Sequence, residues 1–267
     1  MQLLHWLRDH RRETILKTPF PAAWDGLLRQ NVVHYRRLKE DQRHSFQDLI
    51  RIFVAEKHWE GCGGLELTDE IRVTIAAQAC LLILALPHDF YRNVDSILIY
   101  PSTIVPPERN LGVFEVPRAP MNGPMPILGE AHQRGPVILA WDSVKRAARH
   151  PETGHNVVYH EFAHALDSLD GGFNGTPPLT GREEYARWAK VCEREFLDLR
   201  ARSAKGERTF LDPYGATNEA EFFAVATEYF FDRPTEMDRH HAELYNVLRD
   251  FYRQDPARLD EEWRVST

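Results

Sequence analysis

Apolar positions along this chain recur mostly at the three-to-four-residue spacing of helices, and only rarely as short continuous runs of strand length. After Pro19-Phe20-Pro21, the residues Trp24, Leu27, Leu28, Val32 and Val33 predict a helix over about 22–38. Phe46, Leu49, Ile50, Ile52, Phe53 and Val54 predict a second, from about Glu40 to Glu56. Gly61-Cys62-Gly63-Gly64 then breaks the helical pattern. Thr68-Asp69-Glu70 reads as the cap of a third helix running through Leu86. That helix is apolar on almost every side, which assigns it to the centre of the fold.

Within Ser96 to Val105, Ile97-Leu98-Ile99-Tyr100-Pro101 has the length and composition of a buried strand. Residues 106–134 hold six of the 17 prolines and predict loops, with one hairpin around Val113 to Val116. A lid over a cleft is one role open to such a segment. Pro136 to Trp141 predicts a second strand, which at a sheet edge could bind an extended peptide by strand addition. A short helical stretch near Ser143–Ala148 leads to an apolar helix over 157–170. A Gly-, Pro- and Thr-rich loop follows from Gly171 to Gly181, then a long polar helix over about 182–203. Another helix covers 217–231, and one or two more cover 234–254. The pattern is α+β, mostly helical, with a small sheet beside the helix at 157–170. A single domain over residues 1–267 is expected, its first 90 or so residues helical.

Charge and cysteine content narrow the function classes. A net charge of −7 and a pI of about 6.0 give no electrostatic footprint for nucleic acid or an anionic membrane. The local basic clusters Arg8-Asp9-His10-Arg11-Arg12 and Arg36-Arg37-Leu38-Lys39 have acids within or beside them and read as solvated helix faces. At the N-terminus the basic residues follow the apolar ones, so no signal peptide is expected. The longest apolar run, Ile75 to Leu86, is far too short to span a bilayer. Three widely spaced cysteines, Cys62, Cys80 and Cys192, fit reduced thiols rather than a disulfide framework or a Cys-rich metal site. These features predict a soluble, cytoplasmic protein.

The chemistry concentrates in His160-Glu161-Phe162-Ala163-His164. On a helix, residues i and i+4 share a face, about 6 Å apart, so two imidazoles at that spacing can bind one metal ion. Glu161 can then reach a water on the metal and act as general base. The competing reading is a surface helix with solvated histidines. Val157, Val158, Phe162, Ala163, Ala165, Leu166 and Leu169 argue against it, because buried imidazoles and a buried carboxylate need partners that a metal supplies. A catalytic zinc uses three protein ligands and a water. Candidates for the third are Asp167, Asp170, Glu219, Glu221 and Glu228. Asp167 suits an orienting role toward a histidine, or a bond to local backbone. Glu219 suits a charge at a helix N-terminus. Glu221 falls in the first turn of a helix whose Phe222, Phe223, Val225, Ala226 and Phe230 imply burial, so its carboxylate needs a partner. Glu228 shares its face as a weaker rival ligand or as a group behind the ligands. His150, His155, His240 and His241 lack ligand spacing and are expected at the surface.

Four segments resemble the Mlc titration factor A-type zinc metallopeptidases: Lys57 to Leu65, Ile75 to Cys80, His160 to Asp167, and Ala220 to Val225. Tyr214 to Ala224 also resembles the active-site region of anthrax lethal factor. The resemblance implies a gluzincin of zincin-like fold, bacterial and cytoplasmic. It implies one Zn²⁺ held by His160, His164 and Glu221, with Glu161 as general base. It also implies that Tyr214, which on its own residue pattern reads as a buried structural tyrosine, lies at the site and donates to the oxyanion. Aminopeptidase-type activity on peptides and binding of an Mlc-like transcriptional repressor are associated with such proteins. The alternative is a zinc-stabilised regulatory protein that sequesters a repressor with little catalysis.

Overall fold

The computed structural model describes residues 2–102 and 135–266. It begins with α1 (Gln2–Leu16), followed after the Pro19-Phe20-Pro21 break by α2 (Ala22–Asn31) and α3 (Val33–Arg37). The single helix expected over 22–38 is thus two, parted where Val32 adopts an extended backbone, φ −115° and ψ 104°. The reason is tertiary. Buried Asn31 donates to Glu70 Oε1 at 3.0 Å and accepts from Arg149 Nε at 3.1 Å, which anchors the end of α2 to two other elements.

α4 (Glu40–Glu56) carries Glu40 and Asp41 in its first turn, where acids complement the helix dipole. It ends into β1 (His58–Gly61), a strand that the sequence pattern does not reveal. Four residues with mixed polarity show no periodicity; pairing with the next strand makes them a strand. α5 (Asp69–Ile83) starts at Thr68, whose hydroxyl accepts from Ile71 N, and is buried on every face from Val73 to Ile83. It ends three residues short of Leu86. β2 (Ser96–Tyr100) and β3 (Val137–Ala140) complete a parallel sheet in the order β1-β2-β3, with His58 opposite Ser96 and Ile97 opposite Val137. β3 is one edge of these described strands. The hairpin and lid expected within 106–134 lie outside the described residues.

α6 (Trp141–Arg149) leads to α7 (Val157–Asp167), which closes with a 3₁₀ turn over Ser168–Asp170. α8 (Arg182–Ala204) and a 3₁₀ turn at Pro213–Ala216 precede α9 (Glu219–Asp232), buried almost throughout. α10 (Pro234–His240), α11 (Ala242–Tyr252) and α12 (Pro256–Ser266) finish the chain, the last without a sequence expectation. One hydrophobic cluster runs from Leu28 to Ala257. α7 packs against α5 and α9 within it, and Phe162 sits edge-on to Phe53 and Tyr91 at 5.7 and 4.7 Å. The site helices are therefore held from behind by the hydrophobic core. Among the described residues, no helix is long and apolar enough to cross a membrane.

Candidate metal centre

Asn156 starts α7 by accepting hydrogen bonds from Val158 N and Tyr159 N, both at 3.1 Å. Asn218 starts α9 the same way, accepting from Glu221 N at 2.9 Å. These two caps fix the first turns from which the site side chains project. Phe162, Ala163 and Leu166 take the buried face of α7, leaving His160 and His164 on the face toward the start of α9.

Three side chains meet there. His160 Nε2 lies 3.2 Å from His164 Nε2 and 3.0 Å from Glu221 Oε2, and His164 Nε2 lies 3.4 Å from the same oxygen. The second nitrogen of His160, Nδ1, sits 2.8 Å from Glu228 Oε1. A neutral imidazole carries one N–H, and the carboxylate claims it at Nδ1. The Nε2 of a neutral His160 therefore presents a lone pair toward Glu221, whose Oε2 is buried without another hydrogen-bond partner. Acceptors facing acceptors call for a cation between them. The spacing agrees: tetrahedral bonds of 2.0–2.1 Å place ligand atoms about 3.3–3.4 Å apart.

Without a metal ion, a proton on His160 takes the place of that cation. Burial works against a positive charge on His160, but contact with Glu221 and Glu228 outweighs it and raises the imidazole well above its ordinary range. Burial likewise pushes the Glu221 carboxyl upward, and the two histidines overcome this and hold it at about 2. Burial raises Glu161 above the usual carboxylate range despite the nearby histidines. Tyr214 stands against His160, ring centroids 5.9 Å apart, and burial with the Glu221 and Glu161 carboxylates lifts its phenol to about 12.

The other candidates are placed elsewhere. Glu228 backs His160 and also accepts from Asn156 N, so it ties the imidazole to the cap of its own helix. Asp167 is fully buried and accepts from Gly175 N at 3.0 Å and Thr176 N at 2.9 Å, so it organises the following loop and does not orient a histidine. Asp170 accepts from Gly172 N, and Glu219 is an exposed residue of the first turn of α9. His150, His155 and His240 are exposed. His241, expected at the surface, is half-buried and paired with Glu195 at 2.7 Å because α11 packs on α8. The reading of residues missed Asn156, although an Asn just before an apolar helix is a recognisable cap.

The family model for the glucose-regulated metallo-peptidases M90 matches residues 5–253. The chain belongs to the M90 metallopeptidase family. This M90 chain is 39% identical over 259 residues to an uncharacterised protein of Synechocystis sp., covering 94% of this chain and 90% of that one. It is 30% identical over 242 residues to Mlc titration factor A of Klebsiella pneumoniae, covering 87% and 86% of the two chains. With Mlc titration factor A of Yersinia pestis it shares 28% over 251 residues, covering 92% and 89%. Membership in M90 implies a metal, and the His160–His164–Glu221 cluster is where the donor set of this chain fits one.

Proposed function

We propose that this chain is a zinc-dependent peptidase in which His160, His164 and Glu221 hold Zn²⁺, Glu161 is the general base and Tyr214 the oxyanion donor. The observation that carries the reading is the convergence of His160 Nε2, His164 Nε2 and Glu221 Oε2 on one point, 3.0–3.4 Å from one another. Two imidazoles and one carboxylate are a donor set suited to a catalytic zinc, leaving a position for water or substrate. When bound, the ion supplies a Lewis acid for the scissile carbonyl and brings the pKa of its water to about 7.

The chain's own groups do the rest. Glu161 follows His160 on α7, and its burial makes it a stronger base than an exposed glutamate. It accepts the proton of the attacking water and delivers it to the leaving amine. The Tyr214 hydroxyl, kept protonated in this environment, donates a hydrogen bond to the oxygen on which charge develops. Glu228 fixes the tautomer and orientation of His160 through Nδ1. β3, at the edge of the described sheet, suits an extended peptide as substrate. Residues 1–267 serve the site as one domain, a reading supported by the continuous core from Leu28 to Ala257.

The resemblance to gluzincins adds aminopeptidase-type cleavage in the cytoplasm, and the name of the Klebsiella and Yersinia relatives adds binding to an Mlc-like transcriptional repressor. Glu161→Gln separates these activities. Peptide hydrolysis is expected to fall about 10²–10⁴-fold with metal content unchanged. Retained hydrolysis in a metal-loaded variant would overturn the mechanism. Repressor capture by the inactive variant would show that binding and cleavage are separable.

A further inference from the structure

Phe173 is a large apolar side chain left 46% exposed on the loop between α7 and α8. Its ring centroid lies 6.3 Å from that of His164, tilted by 48°. Tyr214 stands against the other imidazole, so each histidine of the cluster has an aromatic neighbour.

The loop that carries Phe173 is braced on both sides of it. Before it, Asp170 Oδ1 accepts from Gly172 N at 3.0 Å, and Gly171 takes a left-handed backbone at φ +94°. After it, Asn174 Oδ1 accepts from Thr176 N at 3.0 Å, and both oxygens of buried Asp167 accept from Gly175 N and Thr176 N. Trp188 of α8 donates to Gly175 O at 3.2 Å. Gly175 lies so close to α9 that a Cβ there would stand 2.2 Å from Glu219 O, at φ +71°. The loop is thereby fixed to the helix that carries His164 and to the helix that carries Glu221. A loop this constrained holds an aromatic ring beside a metal-cluster histidine with nearly half its surface open. A ring needed for core packing would be buried. A ring with no role beside a polar cluster would gain nothing from such bracing.

We propose that Phe173 forms the wall of the subsite that receives a substrate side chain next to the scissile bond, on the His164 side, and that it selects aromatic or aliphatic side chains there. The inference rests on the peptidase reading above. An apolar substrate group completes the burial of the ring and gains edge or offset contact with it. An acidic one loses solvent without gaining a partner, beside the carboxylates of Glu161 and Glu221.

The test uses quenched alanine hexapeptides carrying phenylalanine, glycine or aspartate at one varied position, scanned along the peptide. For the phenylalanine peptide that wild type cleaves best, Phe173→Ala is expected to lower kcat/KM about tenfold, mainly through KM, with Phe173→Leu recovering most of it. The glycine peptide of the same register should change less than about twofold. In the Glu161→Gln background, where turnover is slow, Phe173→Ala should weaken binding of the phenylalanine peptide by a similar factor, read by fluorescence anisotropy. An equal loss on both peptides would overturn the proposal, because Phe173 would then act only through His164. No change on either peptide would overturn it as well. If instead Glu161→Gln leaves hydrolysis intact, the peptidase reading itself falls, whatever the Phe173 variants do.

Discussion

At the candidate metal centre acceptors converge on acceptors when the histidines are neutral, whereas around His241 every acceptor meets a donor. His241 Nδ1 pairs with Glu195 Oε2 at 2.7 Å, and Arg194 reaches Glu195 and Glu243, each at 2.8 Å. Phe210 stacks on the His241 ring at 5.5 Å, and Arg194, Glu195, Phe210 and His241 line a cavity of about 580 Å³. Both regions contain buried or half-buried histidine beside glutamate, yet one is an ion-pair network closed upon itself. The other leaves Glu221 Oε2 without another hydrogen-bond partner and, when His160 is neutral, the Nε2 lone pair aimed at it. The same residue types therefore give opposite chemistry. A metal site is distinguished by a deficit of donors at one point, and an arginine in the cluster removes that deficit.

This contrast can be broken at graded cost. The largest effect is expected from Glu221→Ala, which removes the carboxylate that meets both imidazoles. The variant should emerge from gel filtration without metal, while wild type keeps one ion per chain. It should also lose the stabilisation that metal gives wild type, about 4 kcal/mol at free metal near 1,000 times the dissociation constant. Elemental analysis and calorimetric melts with and without chelator check both. A metal-loaded Glu221→Ala protein would remove Glu221 from the ligand set.

Glu228→Gln should act more mildly. The amide keeps the approach to His160 and Asn156 N but no longer fixes which imidazole nitrogen is protonated. Metal affinity is expected to fall about 10–100-fold, measured by competition with a chromophoric chelator. An unchanged affinity would show that core packing alone positions His160.

Glu195→Gln, at the closed cluster, should leave metal content and hydrolysis unchanged and cost about 0.5–1 kcal/mol of stability near neutral pH. Contact with His241 holds the Glu195 carboxyl below its ordinary range, and Arg194 assists against the opposing effect of burial. A depressed folded-state pKa gives stability that is present above the unfolded value, about 4.3, and is lost as pH falls through the folded value. The difference between wild type and Glu195→Gln in denaturant midpoints should therefore shrink on acidification below about pH 4. A difference that persists at lower pH would mean that packing, not charge, accounts for it.

How much of this could be read from residues depends on the distance over which each feature is decided. The helical periodicity of α5, α7 and α9 is local, and so are the caps at Thr68 and Asn218. β1 was not legible because its four residues carry no pattern of their own and become a strand by pairing with β2. The break at Val32 was hidden because Val33 continues the apolar spacing, and the anchoring of Asn31 to Glu70 and Arg149 comes from elsewhere in the chain. Phe173 carried no signal at all: an aromatic residue in a Gly-rich loop is as consistent with the surface as with a site.

Sequence by itself determined the two-histidine spacing, the burial of the helix bearing it and a buried glutamate at the start of a later helix, because each follows from local periodicity. Only the tertiary structure decided between the carboxylates. Glu221 and Glu228 lie on one helix, yet α7 crosses α9 so that Glu221 meets both Nε2 atoms and Glu228 meets Nδ1 of His160 alone. That choice depends on approaches of a few ångströms between segments about 60 residues apart, which helical periodicity does not encode.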